Sequence, residues 1–108
     1  MKTQEGNENR ESKMQELQLL EQSLQNTLMQ KQAFQMELSE TQAALGELKN
    51  SGDEVFKIIG QLMIKSEKSK ITSDLENKEK ILNLRISTLE KQENSLTEKF
   101  EELRKEIL

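Results

Sequence analysis

The sequence predicts a mainly α fold, in which two long helices form an antiparallel coiled coil with a single central β-hairpin between them. Apolar residues recur every seven positions on both sides of the centre of the chain, which is typical of coiled-coil helices. A short apolar run with Gly60 at its middle separates the two periodic segments. The chain has 108 residues, three Phe and no Trp, Tyr, Pro or Cys, so we do not expect a globular core.

The N-terminal segment, residues 1–13, is polar and has no apolar periodicity. It also contains Gly6, which weakens a helix. We expect this segment to be a disordered lead-in to the fold. It lacks the apolar run of a secretory signal peptide.

The first helix is predicted over residues 14–49, where no Pro occurs and Gly46 is the only glycine. Most of the positions on its seam are apolar. In chain order, the seam residues are Leu17, Leu20, Leu24, Thr27, Lys31, Phe34, Leu38, Thr41, Leu45 and Leu48.

The second helix is predicted over residues 67–108, where the seven-residue period is stronger. One of its two seam series is Leu throughout: Leu75, Leu82, Leu89, Leu96 and Leu103. The other series mixes apolar and acidic residues: Thr72, Glu79, Ile86, Glu93, Phe100 and Ile107.

The central insert is predicted to be a β-hairpin over residues 54–65. Gly60-Gln61 suits a two-residue type II′ turn, in which Ile59 faces Leu62. Its apolar residues would lie on two surfaces, so that neither surface is polar. These hairpin residues, including the turn glycine, are Val55, Phe56, Ile58, Ile59, Gly60, Leu62, Met63 and Ile64. The alternative is a hydrophobic bend between the helices.

The register of the two helices follows from the same pattern. An antiparallel pair with a constant index sum of about 120 matches apolar seam residues on both helices, for example Phe34 with Ile86. Its midpoint is Gly60, the glycine assigned independently to the turn. Lys31 would then lie beside Leu89 and extend towards solvent.

An isolated hairpin with two apolar surfaces has unpaired edges and needs a cover. The simplest cover is the same element from other subunits, closing a sheet or an intersubunit β-barrel. We therefore expect the chain to oligomerise through its hairpin.

The helix ends far from the hairpin carry more apolar side chains than a two-helix seam uses. This terminal cluster comprises Met14, Leu17, Leu19, Leu20, Phe100, Leu103, Ile107 and Leu108. Several such clusters in an oligomer could hold a non-native chain by many weak contacts. The alternative is ordinary packing at the end of a coiled coil.

The composition argues against an enzyme and against a metal or cofactor site. His and Cys are absent, which removes most nucleophilic, redox and metal-binding chemistry, and the four glycines form no phosphate-binding loop. Sixteen basic and twenty acidic residues give a net charge of −4 with mixed signs throughout, so no nucleic-acid partner is expected. No segment is apolar enough to span a membrane, and we expect a cytoplasmic protein.

The central insert also carries a family resemblance. The run from Asp53 to Lys65, with its Phe56-Lys57 pair, its Ile59-Gly60 turn and the triplet Leu62 to Ile64, resembles the β-type subunits of the prefoldin family in archaea and eukaryotes. The resemblance covers residues 14–108, a prefoldin β-like domain. A subunit of the α type would carry two hairpins in a longer chain, whereas this chain has one insert.

The resemblance implies a hexamer of two α-type and four β-type subunits, with the hairpins in a double β-barrel and the coiled coils projecting from it. It further implies capture of unfolded client proteins at the coiled-coil tips without ATP or any cofactor, and their transfer to a group II chaperonin. A passive structural coiled-coil adaptor, without client binding, is the alternative function.

Overall fold

The computed structural model describes residues 2–108, with side chains from Glu8 onward. Helix α1 spans Lys2–Asn50, strand β1 Val55–Ile59, strand β2 Leu62–Ser66 and helix α2 Lys68–Ile107. Two long helices with one hairpin between them confirm the predicted fold class. The bounds of the hairpin and of α2 lie within one residue of those predicted.

The N-terminus differs from the prediction, because α1 begins at Lys2 and residues 2–13 are helical rather than disordered. Met1, which belongs to the same predicted segment, lies outside the described residues. The physical reason is that this stretch has no Pro and is rich in Lys, Glu, Gln and Arg, all good helix formers. Extending a helix that already exists avoids the cost of nucleating a new one. The Lys13 ammonium, 3.3 Å from the carboxylate of Glu106, adds a contact at this end.

Helix α1 ends at a serine turn. The Ser51 backbone N–H and hydroxyl both donate to the carbonyl of Leu48, at 3.3 and 3.0 Å. The Lys68 ammonium then donates to the Ser51 carbonyl at 2.8 Å. This bond joins the first residue of α2 to the residue that follows α1, so it links the two chain segments that flank the hairpin.

The hairpin has the predicted register. Its strands are antiparallel, with Ile59 opposite Leu62 and Ile58 opposite Met63. Gly60 has φ of +60° and is the only residue with positive φ in the described part of the chain. Positive φ at the first central position alone is the pattern of a type II′ turn, which favours glycine there.

The chain divides into two compact units. The first unit is Met1–Gln32 with Ser87–Leu108, and the second unit is Ala33–Ile86. In the second unit Leu82 and Ile86 are buried, and the guanidinium carbon of Arg85 lies 5.5 Å from the centre of the Phe34 ring. This contact is one residue away from the predicted pairing of Phe34 with Ile86, and it agrees with the predicted antiparallel register.

Two threonines are buried on the seam of α1, one in each unit. The Thr27 hydroxyl donates to the Ser23 carbonyl and the Thr41 hydroxyl to the Glu37 carbonyl, both at 2.8 Å. Each hydroxyl therefore finds its hydrogen-bond acceptor within its own helix. Among the described residues, no buried side-chain nitrogen or oxygen lacks a partner.

Candidate functional site

The hairpin presents most of its apolar side chains to solvent. Val55 is buried, at 8% exposed, whereas Ile58 is 70% and Met63 68% exposed. The other exposed apolar residues of the hairpin are Phe56, Ile59, Leu62 and Ile64. Six large apolar side chains on ten strand residues make a surface that a lone soluble chain rarely displays.

One face of the hairpin continues into a groove within the second unit. Phe56, Ile58 and Met63 line it together with apolar residues near the ends of the two helices, including Leu48 and Leu75. The groove has a volume of about 840 Å³. Its rim is charged, with Glu47, Glu54, Lys57, Asp74 and Lys78 among the lining residues.

The strand edges of the hairpin are open in the described chain. Its sheet consists of β1 and β2 alone, so each strand has one edge without a neighbouring strand. Only one ion pair joins the flanks of the hairpin in this part of the chain, between Lys65 and Glu54 at 3.9 Å, and both side chains are largely exposed. A pair so exposed adds little stability, so the hairpin gains little from its own charges.

The terminal cluster lies in the first unit, and its members differ in exposure. Leu19 and Leu108 are 64% and 90% exposed, and Met14 is also exposed, at 48%. Leu103 is buried at 9% and lies in the seam between the helices. The half-buried members are Leu17, Leu20, Phe100 and Ile107. The ion pair between Lys13 and Glu106 places the two ends of the cluster side by side.

A charged contact crosses the seam of the first unit. The Lys31 ammonium donates to the Glu93 carboxylate at 2.8 Å, with 18% and 25% of the two side chains exposed. The hydrogen bond to Glu93 raises the pKa of Lys31 above its usual 10.5, burial opposes the rise, and the charges of Glu93 and Glu90 add to it. Lys31 thus reaches Glu93, the acidic seam residue of α2. The prediction that its side chain extends towards solvent is wrong.

Two features of these surfaces were not predicted from the sequence, the Lys31–Glu93 contact and the groove beside Phe56, and only the first has a signal in the residue pattern. The Lys31–Glu93 contact has a signal in the sequence, because a basic and an acidic residue both occupy seam positions one helical turn apart in the predicted register. The groove beside Phe56 has no such signal, since it depends on how the hairpin packs against the helix ends.

The structure offers no metal site among its described residues, because no three acidic side chains there are grouped to hold an ion. None of the described helices has a stretch long and apolar enough to cross a membrane. The hairpin with its groove and the terminal cluster are two surfaces of the described chain that expose large apolar side chains.

Comparison with known proteins gives the family. Residues 11–108 match the model of the prefoldin subunit family. The prefoldin subunit beta of Thermococcus kodakarensis is 38% identical over 94 residues, which cover 85% of this chain and 80% of that protein. The prefoldin subunit beta of Sulfurisphaera tokodaii is 37% identical over 93 residues, covering 84% of this chain and 74% of that protein.

Solved structures agree with these matches. The crystal structure of the prefoldin beta subunit from Thermococcus strain KS-1 superposes with a TM-score of 0.84 at 36% identity, covering 92% of this chain and 89% of that one. The prefoldin beta2 subunit from the same strain superposes with a TM-score of 0.72 at 18% identity, covering 81% of this chain and 95% of that one, a likeness of fold alone. The family model, the sequence relatives and the beta-subunit structure converge, and the chain belongs to the prefoldin family, as a subunit of the beta type.

Proposed function

We propose that this chain is a subunit of an ATP-independent holdase chaperone, which binds unfolded proteins and passes them to a group II chaperonin. The observation that carries the proposal is the match of residues 11–108 to the prefoldin subunit family, which implies a chaperone-type function and assembly with other prefoldin subunits. Residues 14–108 act as one prefoldin β-like domain in this proposal. The protein works in the cytoplasm without a cofactor or catalysis, and without nucleic-acid or membrane partners.

The hairpin is the assembly element in this proposal. The hairpin has six exposed apolar side chains and two open strand edges. In a single chain these features favour aggregation, whereas a closed barrel buries the side chains and pairs the edges. Hairpins of α-type and further β-type subunits would cover both in a hexamer. The groove beside Phe56 adds apolar surface that a neighbouring subunit can bury.

The terminal cluster is the client-binding element. Its exposed members Met14, Leu19 and Leu108 offer flexible apolar contacts of the kind that bind many different non-native chains. Each contact is weak, and affinity comes from several subunits holding one client together.

A passive structural adaptor is the second candidate function. The observation that favours it is the burial of Leu103 and the half-burial of four other cluster members, which is how ordinary seam residues pack. An adaptor would assemble through the hairpin and suppress no aggregation.

The test combines the chain with an α-type subunit and measures light scattering from guanidinium-unfolded citrate synthase as it is diluted. The wild-type complex is expected to suppress aggregation at near-stoichiometric ratios. The variant Met14→Gln/Leu108→Gln removes two exposed apolar side chains of the cluster while keeping good helix formers. We expect this variant to need several times more complex for the same suppression.

The matched control is Met36→Gln/Ile81→Gln, which removes two exposed apolar side chains from the second unit. The control is expected to suppress aggregation as the wild type does, with both variants forming complexes of unchanged mass. Equal suppression by all three complexes would refute the assignment of the terminal cluster. No suppression by the wild-type complex would instead favour the adaptor.

A further inference from the structure

Between positions 15 and 32, the part of α1 that faces directly away from the seam carries no charge, although the exposed Glu16 and Glu21 lie beside it. Eight residues between positions 15 and 32 lie away from the seam in the heptad pattern, and all are exposed. This outer face of α1 comprises Gln15, Gln18, Leu19, Gln22, Gln25, Asn26, Met29 and Gln32. Since 33% of the chain is charged, eight positions would on average hold two or three charges.

The corresponding side of α2 in the same unit is an ordinary solvated surface. Its nine outward positions run from Ser87 to Lys105, and all are exposed. Five of the nine are charged: Lys91, Glu98, Glu101, Glu102 and Lys105. The two helices of the first unit therefore differ in the chemistry that they offer to a partner.

The chemistry of the outer face of α1 fits a polypeptide backbone. A Gln or Asn amide presents donors and an acceptor together, so it can pair with either an N–H or a C=O group of a bound chain. An uncharged surface also costs less to desolvate than a charged one. Leu19 and Met29, 64% and 67% exposed, add two apolar contacts, of which the thioether adapts to varied side chains.

The spacing of these contacts favours an extended chain over a second coiled-coil helix. Leu19 and Met29 are ten residues apart, which is about 15 Å along a helix. An extended segment of about five residues spans that distance. A helical partner would instead need an apolar residue at every third or fourth position, whereas amides fill this stretch.

We propose that the outer face of α1 binds extended segments of unfolded polypeptide, and that the corresponding side of α2 does not. The inference rests on the proposed holdase function and adds to it the path of the client and the class of segment bound. That class is extended, with unpaired backbone amides and scattered apolar side chains. The terminal cluster captures apolar side chains, and the outer face of α1 holds the backbone that follows them.

The test uses the complex with an α-type subunit and unfolded citrate synthase. The variants Gln22→Glu/Met29→Glu and Gln22→Lys/Met29→Lys place two like charges on the outer face, seven residues apart. Both signs are expected to raise the amount of complex needed for half-suppression at least threefold, because either charge must be desolvated when a client binds. The control Ser87→Glu/Asn94→Glu places two charges seven residues apart on exposed positions of α2 and is expected to have no effect.

A second readout is direct cross-linking. A benzophenone amino acid replacing Gln22 is expected to label unfolded citrate synthase on irradiation, whereas the same group replacing Asn94 is expected to label little. Helical circular dichroism and the mass of each complex establish that the variants fold and assemble.

The outcomes separate this inference from the function on which it rests. If the wild-type complex suppresses aggregation but the Gln22 and Met29 variants do so equally well, or if both probes label alike, the inference is overturned and the holdase function stands. A change in complex mass caused by the α1 variants would overturn it too, by showing contact with another chain. If the wild-type complex suppresses no aggregation, both this inference and the holdase function are overturned.

Discussion

Lys31 and Glu93 form an ion pair across the helices of the first unit, with 2.8 Å between the ammonium nitrogen and the carboxylate oxygen. Both residues occupy seam positions, where coiled coils otherwise place apolar side chains. Polar residues at such positions cost stability and select one alignment of the helices. The pair is a specific marker of the antiparallel register of this unit.

The raised pKa of Lys31 predicts how the pair responds to alkali. A lysine whose pKa is higher in the folded state stabilises the fold fully below its ordinary value of 10.5. That contribution is lost as the pH rises through the raised pKa. The urea midpoints of the wild type and Lys31→Met are expected to differ by a constant amount from about pH 7 to 9.5, and the difference should change only above about pH 10.5. A change already complete by pH 9 would contradict this.

Replacing both partners tests what the pair contributes. Glu93→Leu leaves Lys31 without its partner and is expected to lower the urea midpoint. The double variant Lys31→Leu/Glu93→Leu is expected to recover that loss or exceed the wild type, because Leu suits both positions. Disulfide trapping between cysteines introduced into the two helices should then detect more than one register in the double variant. A single register there would show that the pair does not select the alignment.

The seam of the second unit predicts a contrast between two neighbouring leucines. Leu82 is 2% exposed and Leu84 is 69% exposed on the same helix. Leu82→Ala is expected to lower the free energy of unfolding by about 3 kcal/mol through lost burial and a cavity. Leu84→Ala should cost less than about 0.5 kcal/mol. Denaturation at one fixed protein concentration measures both, and similar losses would mean that the seam does not lie along Leu82.

Two glycines predict effects of opposite sign. Gly60 has φ of +60°, where an L side chain is strained, so Gly60→Ala is expected to lower the free energy of unfolding by about 1 kcal/mol. Gly46 lies inside α1, and a Cβ there would meet nothing within 4 Å. Gly46→Ala should therefore raise the free energy of unfolding by about 0.5–1 kcal/mol. Effects of the same sign would argue against the turn described for Gly60.

Removing the hydroxyl of a buried seam threonine is expected to raise the free energy of unfolding. Thr41 is 3% exposed, and its hydroxyl donates to the Glu37 carbonyl, as the exposed Thr97 hydroxyl does to the Glu93 carbonyl. Thr41→Val is expected to raise the free energy of unfolding by about 0.5–1 kcal/mol, because a buried methyl replaces a polar group and the carbonyl keeps its helical bond. Thr97→Val is the control and should change it by only a few tenths of a kcal/mol. A loss at Thr41 would show that its hydroxyl has another role in the seam.

The parts of this fold set by short-range chemistry could be predicted from the sequence. The hairpin register follows from Gly60, which suits positive φ, and from a two-residue turn that fixes every strand pair beyond it. The helix register follows from matching apolar seam positions. The helix of residues 2–13 was not predicted, because polar composition indicates solvent exposure and does not decide between helix and coil.

Side-chain reach and seam position account for two differences between the sequence predictions and the candidate surfaces. The heptad pattern placed Lys31 beside Leu89, but a lysine stem is long enough to reach Glu93 one turn further along. The predicted terminal cluster likewise treats Leu19 and Leu103 alike, whereas their exposures are 64% and 9%. Seam position separates the two: Leu103 lies on the seam and Leu19 on the outer face of α1.

The exposed hairpin bears on how much of this protein is made relative to the subunits that would cover it. A single copy carries six solvent-facing apolar side chains on two strands, and in the proposed assembly the hairpins of other subunits would cover them. Surplus copies would be prone to precipitate or to be degraded. If the hairpin builds the assembly as proposed, balanced production of the subunits would keep this apolar surface covered.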